Sequence, residues 1–186
     1  MSLESNRTLG GIGAILVAVG CIVPLLSIVG IILLLMALKG LAEYYNENSI
    51  FQNALYGIIF YIIGVIVAAA VIVGAFLGGM STRVSMGNAL VFVSSIILAL
   101  VAMFIFYVLG ALFFKKSFNV LSIKSGEKMF DTAGFWLFIG AILTIVFIGL
   151  ILMLVAWILA SVGFFSMKTP AAQPSSAPTQ PPPPPL

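Results

Sequence analysis

The sequence predicts an all-α, polytopic membrane protein, and composition and segment length are the observations that predict it. Of its 186 residues, 62% are hydrophobic and only 7% are charged, whereas a soluble domain carries roughly 25% charged residues. Four apolar segments lack Asp, Glu, Lys, Arg and His, and each exceeds the roughly 20 residues that cross a hydrocarbon core. They are residues 9–38, 51–79, 89–114 and 134–165, within a helical membrane domain expected over 9–167.

The first apolar segment, residues 9–38, is interrupted by Pro24. A helix is expected to begin at Thr8, whose hydroxyl can accept a hydrogen bond from an unpaired amide. One uninterrupted helix from Thr8 to Tyr45 would be about 56 Å long, and proline disrupts the helical turn that precedes it. A helical hairpin that turns at Pro24 is therefore favoured over a single kinked span, with residues 1–8 as a short cytoplasmic N-terminus.

The second segment, residues 51–79, carries small residues at helical spacing. In lipid, such a stripe lets two helices approach closely and pack by dispersion. A glycine-lined pore is the functional alternative, and close packing is favoured over it. The proposed packing stripe consists of Gly57, Gly64, Ala68, Gly74, Ala75 and Gly78.

The third segment, residues 89–114, leads into the longest polar stretch of the membrane domain, residues 115–133. Lysines alternate there with Phe, Leu and Met, a pattern typical of a segment that lies at the level of the lipid headgroups. We therefore predict an amphipathic interfacial loop that contains a short helix lying at the headgroup level. The side chains expected to contact anionic lipid are Lys115, Lys116, Lys124 and Lys128.

The fourth segment contains a repeat of the first. Ile-Gly-Ala-Ile-Leu occurs at 12–16 and again at 139–143, each copy preceded by Thr-x-Gly. Each copy is followed by an aliphatic run that starts with glycine, at Gly30 and at Gly149, and then by paired aromatics. Internal symmetry of this kind indicates that two segments form the same structural unit. The last segment is therefore expected to turn back near Gly149.

The distribution of basic residues favours terminal hairpins, because Lys and Arg concentrate on the cytoplasmic side. If every segment crosses once, three basic residues share one side and five share the other. Hairpins at both ends bring seven to one side and leave only Arg83 on the other. We predict two long spans flanked by N- and C-terminal helical hairpins in the plasma membrane, with both chain ends cytoplasmic. Four single crossings are the alternative, and hairpin arms ~22 Å long also allow re-entrant hairpins.

The sequence lacks the residues that ordinary metal sites and histidine-based catalytic sites require. With no histidine and one cysteine, ordinary zinc, haem and iron–sulfur ligation is excluded, and so is a histidine-based triad. The acidic pairs Glu43/Glu47 and Glu127/Asp131 are interpreted as solvated helix ends paired with lysines rather than as a metal site. No catalytic residue, metal or cofactor is expected, the protein is not expected to be an enzyme, and scattered basic residues argue against nucleic-acid binding.

Residues 169–186 hold eight of the nine prolines. Such a sequence cannot build a core, and it is typical of a disordered segment with polyproline II character. We predict a disordered Pro-rich tail on the cytoplasmic side. The tail could serve as a ligand for a proline-binding partner. A solvated spacer is the favoured interpretation.

Four stretches together resemble an archaeal and bacterial membrane protein family catalogued as domain of unknown function 996. They are TLGGIGAIL (8–16), ENSIFQNAL (47–55), KKSFNVLSIKSGEKMFDTAG (115–134) and the run FIGAILTIV that starts at Phe138. The resemblance covers roughly residues 1–167. It implies an integral membrane protein of a prokaryote and no particular activity.

Two functions remain after these exclusions. The favoured hypothesis is a non-catalytic membrane scaffold or interaction protein, with membrane lipids and either further copies of itself or another membrane protein as partners. The alternative is a channel or carrier for a small neutral solute, with terminal hairpins that meet near the midplane as in inverted-repeat transporters.

Overall fold

The computed structural model describes residues 2–20, 23–80, 86–146 and 148–168, and all regular structure in these ranges is helical. The helices are α1 (Leu3–Val19), α2 (Pro24–Tyr44), α3 (Ser49–Met80), α4 (Met86–Ser125), α5 (Met129–Leu143) and α6 (Ile148–Ser166), with a 3-10 turn at Thr144–Val146. Five described stretches are long and apolar enough to cross a membrane: Leu25–Tyr44, Ser49–Leu77, Leu90–Ser125, Met129–Val146 and Ile148–Ser166. The all-α prediction is confirmed, and the helices are those of a multi-pass membrane protein.

The first apolar segment forms two helices. α1 ends at Val19 and α2 begins at Pro24, where proline fits because the first helical residue needs no amide donor. The N-terminal cap of α1 is Ser2. Thr8 lies inside the helix instead, and its hydroxyl donates to the carbonyl of Glu4 at 3.0 Å. The prediction that Thr8 starts the helix is therefore wrong, because the charged residues before it are also helical.

α1 and α2 pack as an antiparallel hairpin through direct backbone contact. A Cβ atom at Gly13 would lie 2.9 Å from the carbonyl oxygen of Gly30, and one at Gly30 would lie 2.8 Å from that of Gly13. Contacts this short leave no room for a side chain on either helix. The two glycines therefore fix the point at which the arms cross.

α5 and α6 form a second antiparallel hairpin of the same kind. A Cβ atom at Gly140 would lie 3.1 Å from the carbonyl oxygen of Gly149, and one at Gly149 would collide with the carbonyl oxygen of Gly140. The chain leaves α5 at Thr144–Val146, and α6 begins at Ile148. Gly149 therefore lies in the first turn of α6, beside the reversal, and serves the contact between the arms.

α3 and α4 are much longer than the other helices. They contain 32 and 40 residues, which corresponds to about 48 and 60 Å. α4 continues into the stretch expected to be an interfacial loop with a short helix. Residues 115–125 are helical, but they are the last turns of α4 and not a separate helix, and the chain turns around Gly126, which has a φ of +74°. Burial explains the extension, because the hydroxyl of Ser117 donates to the carbonyl of Ile50 at 2.6 Å and so ties α4 to the start of α3.

One hydrophobic core joins the two terminal hairpins to part of the long hairpin. From α3 and α4 it draws only on residues 50–61 and 107–121. Aromatic rings dominate it, as in the contact between Phe130 and Phe164, whose centroids are 4.9 Å apart. The terminal hairpins also meet directly, since the hydroxyl of Ser161 on α6 donates to the carbonyl of Gly11 on α1 at 3.1 Å.

Candidate functional site

The charged residues of the described ranges all lie at one end of the helix bundle. They lie near the start of α1 and α5, in the last three turns of α2 and α4, in the short connections after α2 and α4, and just after α6, and antiparallel packing brings these termini together. Contacts between distant residues show the proximity: Lys124 forms an ion pair with Glu47 at 3.0 Å, and the guanidinium of Arg7 donates to the carbonyl of Phe165 at 2.6 Å. We call this the charged end.

The four lysines of residues 115–128 have different surroundings. The ammonium group of Lys115 lies 5.1 Å from the centroid of the Phe138 ring, and that of Lys116 lies 5.1 Å from the centroid of Phe113. A cation over an aromatic face is stabilised by the ring quadrupole, and these positions adjoin the apolar body of the bundle. Lys124 is paired with a carboxylate, and Lys128 precedes α5.

Glu47 is the acidic residue most affected by this arrangement. It accepts a hydrogen bond from the hydroxyl of Ser49 at 2.8 Å and faces Lys124. The hydrogen bond from Lys124 and then that from Ser49 hold the pKa of Glu47 below its usual value. No group of three metal-ligating side chains occurs in the described ranges.

The half of the small-residue stripe nearer the charged end packs against α4. A Cβ atom at Gly57 would lie 2.7 Å from the Phe114 ring, and one at Gly64 would lie 2.8 Å from Cβ of Phe106. Ala68, one turn farther along, is buried. These residues let α3 and α4 approach closely, as in other pairs of membrane helices.

The half of the stripe farther from the charged end does not share this close contact with α4. A Cβ atom at Gly74 would meet nothing within 4 Å, and Ala75 is half-buried. Gly74 is turned about 80° around the helix from Gly64, so a stretch of α3 backbone is open there. Gly78 belongs to α3, and its surroundings lie outside the described residues.

A cavity of about 240 Å³ lies where the terminal hairpins meet the long hairpin. The polar residues among its lining are Ser27, Tyr61 and Tyr107, and the remaining lining is aliphatic, aromatic or Met153. The hydroxyl of Tyr107 donates to the sulfur of Met153 at 2.6 Å. The hydroxyl oxygen of Tyr61 is buried and has no hydrogen-bond partner within the described part of the chain.

The sequence interpretation did not single out these tyrosines. A signal was available, because Tyr61 and Tyr107 stand inside apolar segments rather than in the belts at membrane interfaces where tyrosine is usually enriched. By contrast, Tyr56 is exposed on α3 beside Gln52, nearer the charged end. Tyr61 and Tyr107 therefore differ from Tyr56 in their position inside an apolar segment and beside the cavity.

The Pro-rich tail, residues 169–186, lies outside the described residues, as does Arg83 between α3 and α4. Pro24 begins α2, but its side-chain surroundings are not among those described.

Apolar helices, charges gathered at one end and backbone contacts between helices define the class: a multi-pass helical membrane protein. The chain belongs to the family described as "Protein of unknown function (DUF996)", which matches residues 26–158. It is 33% identical over 168 residues to an uncharacterized protein of Methanocaldococcus jannaschii, a match that covers 90% of this chain and 94% of the relative. No solved structure matches the chain. The family resemblance seen in the sequence is thereby confirmed.

Proposed function

We propose that this chain is a non-catalytic scaffold of the plasma membrane that assembles with further copies of itself through the far half of the α3–α4 hairpin. One observation carries the proposal. Over residues 65–77 and 90–101 large apolar side chains are exposed around both helices, and only Ala68 and Ala99 are buried. This half extends roughly 24 Å beyond Tyr61, the last α3 residue packed on the core.

The proposed orientation places the charged end in the cytoplasm. Seven of the eight basic residues belong to it, and the eighth, Arg83, lies between α3 and α4 in the sequence. Basic residues favour the cytoplasmic side. With this orientation α3 and α4 are the two long spans, and both chain ends, including the Pro-rich tail, are cytoplasmic.

The turns of the terminal hairpins are suited to a position within the membrane. Neither turn contains a charged residue, and backbone amides near the first turn are paired: Gly20 donates to Leu16 and Leu26 donates to Val23, each at 2.9 Å. Paired backbone groups are what a lipid environment demands. α5 and the 3-10 turn after it form a stretch of 18 residues, about 27 Å long, which is close to the thickness of a hydrocarbon core of about 30 Å. A re-entrant second hairpin therefore remains compatible with its length, beside a fully crossing one.

A second copy of the chain is the partner that the far half of the hairpin fits best. Gly74 leaves α3 backbone open to close approach, which is how small residues support helix association in lipid. The other stripe glycines whose surroundings are described, Gly57 and Gly64, are already covered by α4. Assembly through Gly74 would therefore use a face that intramolecular packing leaves free.

Cysteine cross-linking in native membranes tests this proposal. In a Cys21→Ala background, which removes the single native cysteine, Gly74→Cys is expected to give a disulfide-linked dimer on mild oxidation. Ile151→Cys on α6, also highly exposed, is the matched control and is expected to stay monomeric. Absence of the Gly74→Cys dimer, or equal cross-linking at Ile151→Cys, would reject self-assembly through this face.

Labelling with a membrane-impermeant maleimide tests the orientation in the same background. Thr82→Cys, in the connection between the long helices, is expected to react in intact cells, whereas Lys128→Cys at the charged end is expected to react only after permeabilisation. The reverse pattern would overturn the orientation. Reaction at both positions in intact cells would also contradict it.

A carrier or channel for a small neutral solute is the second candidate function. The cavity between the terminal hairpins favours it, because its wall includes residues of both hairpins and of both long spans. Purified protein in liposomes would accelerate the flux of a neutral solute such as glycerol or urea over empty liposomes. Unchanged flux for both solutes would leave the scaffold as the supported function.

A further inference from the structure

We propose that the cavity is a binding site for a neutral, ring-sized, membrane-soluble carbonyl compound, held by a hydrogen bond from the hydroxyl of Tyr61. This inference goes beyond the scaffold function and does not rest on it. The cavity is set by the hairpins and the core, whereas assembly uses the far half of α3. A failure of either proposal would leave the other standing.

The unused hydrogen-bonding group identifies what the ligand must supply. A buried polar atom without a partner is costly, and nearly all such atoms in proteins are paired with protein or ordered solvent. The Tyr61 hydroxyl is buried and unpaired among the described residues, while the neighbouring Tyr107 hydroxyl already donates to Met153. A phenol hydroxyl can both donate and accept, and a carbonyl oxygen on the ligand would accept its hydrogen bond.

The rest of the lining determines the body of the ligand. It is formed by Val17, Ile31, Ile58, Phe114, Leu150 and Trp157. No charged side chain lines the cavity, so an ionised ligand would lose its hydration without a counter-ion, at high cost. The ligand is therefore neutral and apolar apart from its acceptor.

The size of the cavity and its place in the bundle narrow the class further. About 240 Å³ lies just below the usual range of small-molecule sites, enough for one substituted ring but not for a whole lipid. The cavity is partly open and its lining residues belong to the apolar segments of the chain, so its opening is expected to face lipid. Aromatic walls from Phe114 and Trp157 suit a flat ring, because offset and edge-to-face contacts stabilise aromatic pairs. A quinone-like carbonyl compound that enters from the bilayer meets each of these conditions.

Tryptophan fluorescence offers a direct test, because one of the two tryptophans lines the cavity. In full-length protein carrying Trp136→Phe, Trp157 is the sole indole, and duroquinone, a neutral tetramethyl-benzoquinone that quenches indole fluorescence on contact, is the probe. We expect saturable quenching in nanodiscs. Durene has the same ring and methyl groups without the carbonyls, and it is expected to compete at least about fivefold more weakly, since one hydrogen bond is lost.

Matched tyrosine variants separate the proposed hydrogen bond from partitioning into lipid. Tyr61→Phe is expected to weaken duroquinone binding by about fivefold to tenfold, whereas Tyr56→Phe, on the same helix but outside the cavity, is expected to leave it unchanged. Circular dichroism and gel filtration would verify that both variants fold. Linear, non-saturable quenching, equal affinities for Tyr61→Phe and Tyr56→Phe, or equal competition by durene would each overturn the proposal.

Discussion

The two terminal hairpins share their crossing geometry and differ in their reach. In each, a glycine of the repeated Ile-Gly-Ala-Ile-Leu motif touches the glycine that opens the next aliphatic run: Gly13 with Gly30, and Gly140 with Gly149. Sixteen residues (14–29) separate the first pair and eight (141–148) the second. The first hairpin therefore extends about 6 Å farther past its crossing point. The glycine pair sets where the arms cross, and the spacer sets how deep the turn lies.

The hairpins also differ at the charged end. In α5–α6 the arms meet through rings, and a Cβ atom at Gly163 would lie 3.2 Å from the Phe130 ring. In α1–α2 the corresponding contact is between Gly40 and Asn6, which is fully buried and has no partner for either amide atom among the described residues. At this end, the first hairpin thus packs through a buried amide without a hydrogen-bond partner, whereas the second packs through an aromatic ring.

Alanine substitution of the glycines at the crossing points is expected to have the largest effect on stability, and to destabilise the second hairpin more than the first. A Cβ atom at Gly149 would collide with backbone of Gly140 and Thr144, whereas one at Gly30 would lie 2.7 Å from the amide of Val17. Overpacking typically costs about 1–3 kcal/mol, so Gly149→Ala is expected to lower Tm in detergent by at least several degrees, and Gly30→Ala by less. Ile151→Ala, at a highly exposed position of the same helix as Gly149, is the control. An equal loss at Ile151→Ala would contradict the role of these contacts.

Replacement of the unpaired amide of Asn6 by an apolar side chain is expected to stabilise the first hairpin. Asn6→Leu replaces an unpaired amide by an apolar side chain with the same number of heavy atoms, and relief of the unpaired group is worth about 1–3 kcal/mol. We expect Tm to rise. Asn119→Leu, at an exposed amide that donates to Asp131 at 2.8 Å, is the matched control and should lower Tm or leave it unchanged. A fall in Tm for Asn6→Leu would show that Asn6 has a partner in the membrane.

Loss of the contact between the hairpins should have a smaller effect. Ser161→Ala deletes the hydroxyl that bonds the Gly11 carbonyl, and a typical hydrogen bond contributes about 1 kcal/mol. The free energy of unfolding is expected to fall by that amount in mild denaturant. Ser94→Ala, whose hydroxyl bonds only its own helix at Val91, should leave stability unchanged. Equal effects for the two variants would rule out a specific link between the hairpins.

The ion pair at the charged end should contribute least, and only above acidic pH. Because the pKa of Glu47 is lowered in the folded chain, its contribution is present above the unfolded value, near 4.5, and is lost as pH falls through the folded pKa. Wild type should therefore lose slightly more Tm than Glu47→Gln between pH 6 and pH 3, values chosen to bracket this transition. Glu43→Gln serves as the control and should follow wild type. Parallel curves for wild type and Glu47→Gln would contradict the contribution of this pair.

Local sequence was enough to predict the helical class, since the apolar segments exceed a bilayer span whatever their tertiary contacts. It was not enough for residues 115–125. A mixture of lysines and apolar residues is typical both of a short interfacial helix and of the end of a long helix, so the pattern does not distinguish the two. The choice depends on Ser117 reaching the Ile50 carbonyl 67 residues away, which no local pattern records.

The cavity was missed for a related reason. Ser27, Tyr61 and Tyr107 come from three different helices, and nothing in the spacing of the chain brings them together. Their shared surroundings depend on where the hairpins cross, and so on glycine contacts such as Gly13 with Gly30. A site assembled by packing is therefore visible only once the crossing points are known.

The gathering of charge at one end has a consequence for how the chain enters the membrane. In the proposed orientation, insertion transfers only one charged side chain, Arg83, across the bilayer. Each terminal hairpin can enter from the cytoplasmic face as a closed pair of helices, with no charged residue carried across. The membrane potential acts on a single elementary charge, worth about 2.3 kcal/mol per 100 mV. In that orientation, biogenesis would depend on passage of the α3–α4 connection across the bilayer, and the terminal hairpins would insert without carrying a charged residue across.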